Sequence, residues 1–256
     1  MTSKRFFQLA YIYVKANLRV EVSSYYLNYV WWVLEPVFMM TVFYVVFDIM
    51  LNQGTQHFVG FLLVGLASWN WFARSVNNSK NSIHDARGLI LQVRIPKMFF
   101  PFTTVCQDSF KQLFVVALLL LFLLFYPTPV TVCWFALPIL LALQFVLNLA
   151  VGMFCAAIVP FVPDMRFIVS TVIEILFFAT GIFYDLDTMV LPEHRPIIYA
   201  NPMAGLLKNY RAVLLHGDWP NWFYLLYVAG FSFVFLAVAL YLLNRFDNVY
   251  PRVCQQ

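Results

Sequence analysis

Long apolar segments alternate with short polar segments along most of the chain. A run of about 20 apolar residues crosses a hydrocarbon core of about 30 Å as a helix. Segments predicted to do so cover residues 30–50, 58–72, 110–126, 132–159, 167–184 and 223–243. The second has a polar tail through Val76, and the fourth requires tilt or a kink at Pro138. The pattern predicts an all-α integral membrane protein with six transmembrane helices, built as a single transmembrane domain over residues 1–256.

The segment before the first span, residues 4–27, is too charged to cross a membrane. Its apolar residues recur three and four positions apart, and its basic residues occupy another side of the same helix. The apolar set is Phe6, Leu9, Tyr13, Ala16 and Val20, and the polar set is Lys4, Gln8, Lys15 and Arg19. This periodicity predicts an amphipathic helix that lies in the membrane interface.

A charged stretch, residues 79–101, separates the second and third spans. Its middle, residues 85–93, is predicted to form a short amphipathic helix that ends before Pro96. The apolar face of this helix comprises Leu89, Ile90 and Val93, and the charged residues of the stretch are Lys80, Asp85, Arg87, Arg94 and Lys97. A helix of this kind at the rim of a membrane bundle is a suitable surface for another protein to bind.

The segment between the fifth and sixth spans, residues 185–221, contains two apolar stretches of roughly ten residues. Stretches of that length are too short to cross and more often dip into the membrane and return. The pair Asn201 and Pro202 favours a turn between two such half-helices. We therefore expect external re-entrant helices that act as a gate, with a surface-packed loop as the alternative.

The composition excludes a soluble domain, and the charge distribution predicts an orientation. Of 256 residues, 62% are hydrophobic and 11% are charged, and the mean hydropathy is +0.78. If the N-terminus is cytoplasmic, that side holds Lys4, Arg5, Lys15, Arg19, Arg74, Lys80, Arg87, Arg94, Lys97, Arg166, Arg245 and Arg252. The opposite side holds Arg195, Lys208 and Arg211. The positive-inside rule then places both termini in the cytoplasm.

The chain lacks the motifs of a nucleotide-binding or metal enzyme. It contains no GxxxxGK[ST] loop, no HExxH and no CxxC, so we expect no catalytic residue, metal site, cofactor or nucleic-acid partner of its own. Glu174 lies near the middle of the fifth span, where a carboxylate costs about 2.5–3.5 kcal/mol on insertion scales. It is expected to face the bundle interior or water. An ion-coupled secondary transporter with Glu174 as its titrating group therefore stays open, whereas an enzyme acting on lipid is disfavoured because no convergent acid, base or metal set is visible.

Three sequence runs resemble one family of transporters. They are LNYVWWVLEPVF at residues 27–38, VPDMR at residues 162–166 and YANPMAGLLKNYRAVLL at residues 199–215. Their order and spacing resemble the membrane subunits of ABC-2 type exporters, and most of all the permeases that export lipid-linked O-antigen or capsular polysaccharide. The resemblance covers nearly the whole chain.

The resemblance implies a homodimer in the bacterial inner membrane that carries two copies of a separate cytoplasmic ATPase, which binds ATP and Mg²⁺. The interfacial helix and the 79–101 stretch would contact this ATPase through Asp85, Arg87, Leu89, Ile90, Arg94 and Arg19. Asn201 and Pro202 would belong to the external gate. The polysaccharide route would lie between the two copies, lined by the first and fifth spans, with Trp32, Glu35, Glu174, Phe178 and Tyr184 as candidate lining residues.

The basic residues of the interfacial helix are candidates for guiding the lipid carrier of the substrate. Lys4, Arg5, Lys15 and Arg19 would lie near the carrier phosphates at the cytoplasmic leaflet. The same residues are equally suited to binding anionic membrane lipids or to orienting the protein.

Overall fold

The computed structural model describes residues 3–24, 34, 37–38, 41–42, 44–50, 58–126 and 128–253. Within these ranges the chain is helical and contains no strand. The α-helices are α1 (Ser3–Ser24), α2 (Phe58–Asp85), α3 (Arg87–Gln92), α4 (Phe99–Phe125), α5 (Leu137–Ile158), α6 (Met165–Ala179), α7 (Leu186–Met189), α8 (Arg195–Tyr199), α9 (Pro202–Arg211), α10 (Trp222–Arg245) and α11 (Tyr250–Val253). Helical turns of other types cover Tyr44–Met50, Val132–Ala136 and Ala212–His216.

Three of the described helical segments are long and apolar enough to cross a membrane. They are Phe99–Phe125, Val132–Ile158 and Trp222–Arg245. They coincide with the predicted third, fourth and sixth spans, so the part of the chain that the structure describes is helical with several membrane-crossing segments, as in a multi-pass membrane protein. The predicted second and fifth spans fall on α2, which is long but more polar, and on α6, which has 15 residues. Nine of the 21 residues of the predicted first span lie outside the described residues, and the other 12 are helical.

The charged stretch after the second span is more helical than the sequence predicts. The prediction left residues 79–85 outside the second span, but they form the last turns of α2, where Ser79, Lys80 and Ile83 are buried. Likewise, α4 begins at Phe99 instead of residue 110. Pro101 does not prevent this because it lies in the first turn, where a helix needs no N–H donor.

Helix α6 is shorter than the predicted fifth span, which extends to residue 184. It ends at Ala179, and Gly181 follows with a left-handed φ of 74°. A Cβ atom at Gly181 would lie 2.6 Å from Cγ of Leu186, so both the backbone conformation and the space require glycine. This break turns the chain into the 185–221 segment.

Helix α2 lies at the centre of the bundle and packs against α4, α5, α6 and α9, while α5 packs against α10. Helix α1 packs against the start of α4. The ring centroids of Phe6 and Tyr13 lie 5.6 Å and 5.5 Å from that of Phe99. The predicted amphipathic helix is therefore present.

The prediction that the last two apolar residues of the α1 set lie on its buried side is wrong. Ala16 and Val20 are exposed. The side of α1 that faces the bundle carries Ala10 and then polar Glu21, which accepts a hydrogen bond from Gln107. The polar partners on α4 therefore determine which side of α1 is buried there.

The 185–221 segment folds into short helices instead of an irregular loop. Asn201 lies between α8 and α9, as predicted for a turn, and its side chain caps α9 by accepting from the Met203 N–H at 3.0 Å. Pro202 is the first residue of α9, a position where its fixed φ suits a helix. Helix α9 is largely buried against α2, α5 and α10, so this part of the segment is not a surface-packed loop.

Candidate functional site

The short helix predicted between the second and third spans is present as α3. It begins at Arg87 instead of residue 85 and ends at Gln92. Ile90 is buried and Leu89 is half-buried, as expected for the apolar face. Val93 was assigned to the same face, but it is 49% exposed because the backbone there is extended, with φ −132° and ψ 136°, and leaves the helical spacing.

The charged residues around α3 face outward. Asp85, Arg87 and Arg94 are exposed, together with apolar Leu91. The His84 Nδ1 lies 3.6 Å from the Asp85 carboxylate. The surface therefore combines charge of both signs with exposed apolar area, and such charges can pair with complementary charges on another protein.

The four basic residues predicted on the interfacial helix are all exposed. Lys4, Arg5, Lys15 and Arg19 lie along α1, and the Lys15 ammonium lies 5.8 Å from the ring centroid of Tyr11. Their positions leave them free to meet a phosphate or an acidic partner surface.

A polar pocket of about 290 Å³ lies where α1, the end of α2 and the start of α4 meet. We call it the α1–α2–α4 pocket. Its polar lining includes Asn17 from α1, Asn78, Asn81, Ser82 and Asp85 from α2, and Thr104, Gln107 and Asp108 from α4. This pocket is not predictable from the sequence because the three contributing segments are far apart in the chain.

Asp108 is the deepest charged group of the pocket and is 3% exposed. Its carboxylate accepts hydrogen bonds from the Asn78 amide at 3.0 Å and 3.2 Å. The Lys111 ammonium lies 3.9 Å from Asp108 but 2.5 Å from Glu21 of α1. One lysine is thus shared by two carboxylates.

A second buried cluster joins α2 to the start of α6. The Lys80 ammonium donates to Asn77 Oδ1 at 2.7 Å, to the Arg166 carbonyl at 3.0 Å and to the Ser170 hydroxyl. The sequence predicts Lys80 only as a charge of the cytoplasmic 79–101 stretch, without a buried partner. Asn77 lies three residues earlier on the same helical face, so the spacing alone indicates that its side chain can accept a hydrogen bond from Lys80.

The candidate lining residues of the fifth span fall on the outward side of α6. Glu174 and Phe178 are exposed and do not face the interior of this subunit. Tyr184 follows the helix, and its hydroxyl donates to the Phe178 carbonyl at 3.0 Å. Trp32 and Glu35, the two candidates on the first span, lie outside the described residues.

The candidate gate residue Asn201 is attached to the end of α6. Its amide donates to the Thr180 hydroxyl at 3.0 Å. The same chain break is held from α9 by Arg211, whose guanidinium donates to the carbonyls of Gly181 at 2.8 Å and Ile182 at 2.6 Å. The guanidinium carbon also lies 3.3 Å from the ring centroid of Phe61. The structure thus brings the gate candidates and the end of α6 together.

Arg211 is buried, and this burial lowers the pKa of its guanidinium to about 9, which leaves it charged at neutral pH. Near it, the Asp187 carboxylate pairs with Lys208 at 2.5 Å and accepts from the Tyr199 hydroxyl at 2.9 Å. Burial alone would raise the pKa of Asp187, but these partners hold it below its ordinary value.

Comparison with known proteins identifies the family of this chain. The ABC-2 type transporter family matches residues 9–215. An O-antigen export system permease protein RfbA from Myxococcus xanthus is 29% identical over 227 residues, which cover 88% of this chain and 87% of that protein. An O-antigen export system permease protein RfbA from Klebsiella pneumoniae is 25% identical over 238 residues, covering 92% and 91%. Because the family match covers most of the chain, this protein belongs to the ABC-2 type transporter family.

Proposed function

We propose that this chain is the membrane permease subunit of an ATP-driven exporter that moves lipid-linked polysaccharide, O-antigen or capsule, across the bacterial inner membrane. The observation that carries the proposal is the similarity, over about nine tenths of both chains, to proteins named as O-antigen export permeases. The chain itself is a transport subunit and not an enzyme. ATP and Mg²⁺ are held by a separate ATPase.

The working unit is a homodimer of subunits with six transmembrane helices, re-entrant helices at the external side and both termini in the cytoplasm. The outward side of α6 supports this arrangement. It carries exposed Phe167, Ile175 and Phe178 beside one carboxylate, Glu174. A second copy facing this side would shield the carboxylate from lipid and leave aromatic faces and an acceptor for a glycan. Trp32 and Glu35 of the first span complete the same route.

Two copies of the cytoplasmic ATPase bind through α1 and α3. The exposed charges of Asp85, Arg87 and Arg94 support this role, and Arg19 extends the same surface along α1. Leu89 and Ile90 anchor α3 to the bundle, so a force on α3 is transmitted to α2. At the opposite end of the bundle, Asn201 and Pro202 form the hinge between α8 and α9 and act as the external gate.

Charge reversal at this surface provides the main test. We expect Asp85→Arg and Arg87→Glu to lower export by about tenfold or more while ATP hydrolysis continues, because the ATPase then moves without its contact on α3. Export is measured as polysaccharide reaching the cell surface, and ATP hydrolysis is measured on the purified complex. Asp218→Arg, a charge reversal at an exposed residue of the 185–221 segment, is the matched control and should leave both unchanged.

Two results would contradict the proposal. Normal export by both variants would remove α3 from the coupling surface. Transport by this chain alone, driven by a proton gradient and lost in Glu174→Gln, would favour the ion-coupled secondary transporter instead.

The basic side of α1 provides a second test. We expect the double variant Lys15→Glu, Arg19→Glu to impair export of the lipid-linked substrate, because the carrier phosphates are attracted to cations at the cytoplasmic leaflet at about 1 kcal/mol per residue. Surface polysaccharide, membrane insertion and co-purification of the ATPase are measured together, because Arg19 is also a proposed contact of the ATPase. Gln8→Glu, which adds one negative charge to an exposed position of α1, is the control. Unchanged export by the correctly inserted double variant would exclude guidance by these residues.

A further inference from the structure

A short segment follows α10 and packs back onto the bundle. Helix α10 ends at Arg245, and the chain continues through a turn into α11, which begins at Tyr250. We call residues 246–253 the C-terminal segment. Its Tyr250 is fully buried. A buried tyrosine usually has a partner for its hydroxyl, so this residue indicates where the segment is attached.

The C-terminal segment is attached to the end of α5. The Tyr250 hydroxyl donates to the Ala157 carbonyl at 2.9 Å. Ala157 lies in the last turn of α5, where backbone carbonyls lack partners within the helix. The ring centroid of Phe161, in the turn after α5, lies 5.1 Å from that of Tyr250 and 5.4 Å from that of Phe246. These contacts fix the segment against α5 and the turn that follows it.

The same segment holds the connection between α3 and α4. The backbone N–H of Lys97, in this connection, donates to the Asp247 carboxylate at 2.8 Å. Helix α11 packs against α3. Tyr250 belongs to the same apolar cluster as Ile90 of α3 and Ile95 of the connection, both of which are buried. The C-terminal segment therefore links α5 and α10 to the helix that is the proposed contact of the ATPase.

Helix α3 depends on its neighbours for its position. It has six residues, far fewer than the roughly 12–15 that an isolated helix needs to be stable in water. Its last turn is followed by extended backbone at Val93, and the hydrogen bond to Asp247 fixes the chain four residues later. A carboxylate acceptor makes this bond stronger than one between neutral groups. Loss of the acceptor should therefore release the C-terminal end of α3.

We propose that Asp247 and Tyr250 are positioning residues, which hold α3 in place for its contact with the ATPase. The inference rests on the proposed function, which assigns α3 to that contact. It adds a second connection between α3 and the bundle, which runs through α5 and α10 and does not use α2. Neither residue has to touch the ATPase in order to act.

The position of α3 is measured first, without the ATPase. A spin label on Leu91→Cys, at an exposed position of α3, reports its mobility in the full-length protein in lipid nanodiscs, with the four native cysteines replaced by alanine. Asp247→Leu keeps the branched shape of the side chain but has no acceptor, and we expect it to add a more mobile component to the spectrum. Asp247→Asn retains an acceptor oxygen and should give the wild-type spectrum. Asn248→Ala, at the exposed neighbouring position, is the matched control.

Binding of the ATPase encoded beside this chain is then measured on the unlabelled proteins. If Asp247→Leu leaves about one tenth of the chains with α3 in position, the Kd for the ATPase rises about tenfold. Asp247→Asn should restore the wild-type Kd, whereas a role of the charge itself would leave binding weak. Tyr250→Phe removes only the hydroxyl and should raise both the label mobility and the Kd by a smaller factor. The melting midpoint of each variant is recorded alongside.

Four results would overturn the inference. They are wild-type label mobility in Asp247→Leu, a wild-type Kd in that variant despite a mobile label, no recovery with Asp247→Asn, and a lower melting midpoint as the sole change. If Asp247→Leu fails to fold, as judged by size-exclusion chromatography, Tyr250→Phe decides the question by the same measurements. Absence of ATPase binding by the wild-type chain would instead overturn the proposed function, while the label still shows whether the C-terminal segment holds α3.

Discussion

Replacing Arg211 with methionine is expected to lower the melting midpoint of the purified protein by roughly 6–12 °C. The guanidinium donates to the carbonyls of Gly181 and Ile182, which methionine leaves without these donors. Hydrogen bonds to charged groups contribute about 1.5–3 kcal/mol each, so the two together contribute about 3 kcal/mol at the lower limit. Methionine keeps most of the side-chain volume, so the loss of donors dominates. The midpoint is measured by intrinsic fluorescence in detergent.

The matched control is Lys208→Met, three residues earlier on α9. Lys208 is an exposed cation whose ion pair with Asp187 lies at the surface, and exposed pairs contribute at most about 1 kcal/mol. Its midpoint should therefore stay within a few degrees of the wild type. Equal shifts in the two variants would show that Arg211 does not hold the chain break between α6 and α7.

The sequence predicts the apolar helices well because their signal is local. Residues 132–159 and 223–243 contain enough apolar side chains to require a membrane environment whatever their neighbours are. The helix ends beyond these runs depend on partners instead. Residues 79–85 look like a polar loop, yet Ser79 and Lys80 are buried because α5 and α6 pack against them.

Buried polar side chains of the neighbouring helices hydrogen-bond to the backbone of α2. Gln112 of α4 donates to the Ala67 carbonyl at 3.0 Å, and Gln144 of α5 donates to the Ser68 carbonyl at 2.7 Å. These contacts join helices that are far apart in sequence, so periodicity alone does not reveal them. A hydropathy average treats such residues as exposed, although here they lie at helix contacts.

The residues of the candidate site also fall into two groups: those whose placement follows from local sequence and those whose placement depends on packing. The exposure of Asp85, Arg87 and Arg94 follows from a short charged helix between apolar spans, and the sequence was sufficient to predict it. Arg211 was counted only as an external charge, since a single arginine in a polar segment carries no sign of burial. Its role depends on the left-handed turn at Gly181, which is set by packing against Leu186.

The buried Lys80 cluster supports a different prediction, about the transmission of movement through the bundle. Helix α2 is followed directly by α3, the proposed contact of the ATPase, and Lys80 joins α2 to the Arg166 carbonyl and the Ser170 hydroxyl of α6. Among the described helices, α6 packs chiefly against α2. A displacement of α3 therefore reaches the proposed route through this cluster.

We expect Lys80→Met to lower export by about 5- to 150-fold, while the ATPase still binds and hydrolyses ATP. This is the factor that corresponds to typical coupling free energies of about 1–3 kcal/mol. Methionine preserves the shape of the side chain but cannot donate to the carbonyl of Arg166. Surface polysaccharide reports export, and co-purification together with phosphate release reports the ATPase.

Lys97→Met separates this role from the loss of a buried lysine as such. Lys97 is also 5% exposed, but its ammonium donates to the Ile95 carbonyl, two residues away, so its contact is local. Export should therefore be nearly unchanged in Lys97→Met. Normal export by Lys80→Met would mean that α2 and α6 move together without this cluster, and a loss of ATPase binding would mean that Lys80 shapes the docking surface instead. Only reduced export with retained ATP hydrolysis identifies Lys80 as the link between the ATPase contact and α6.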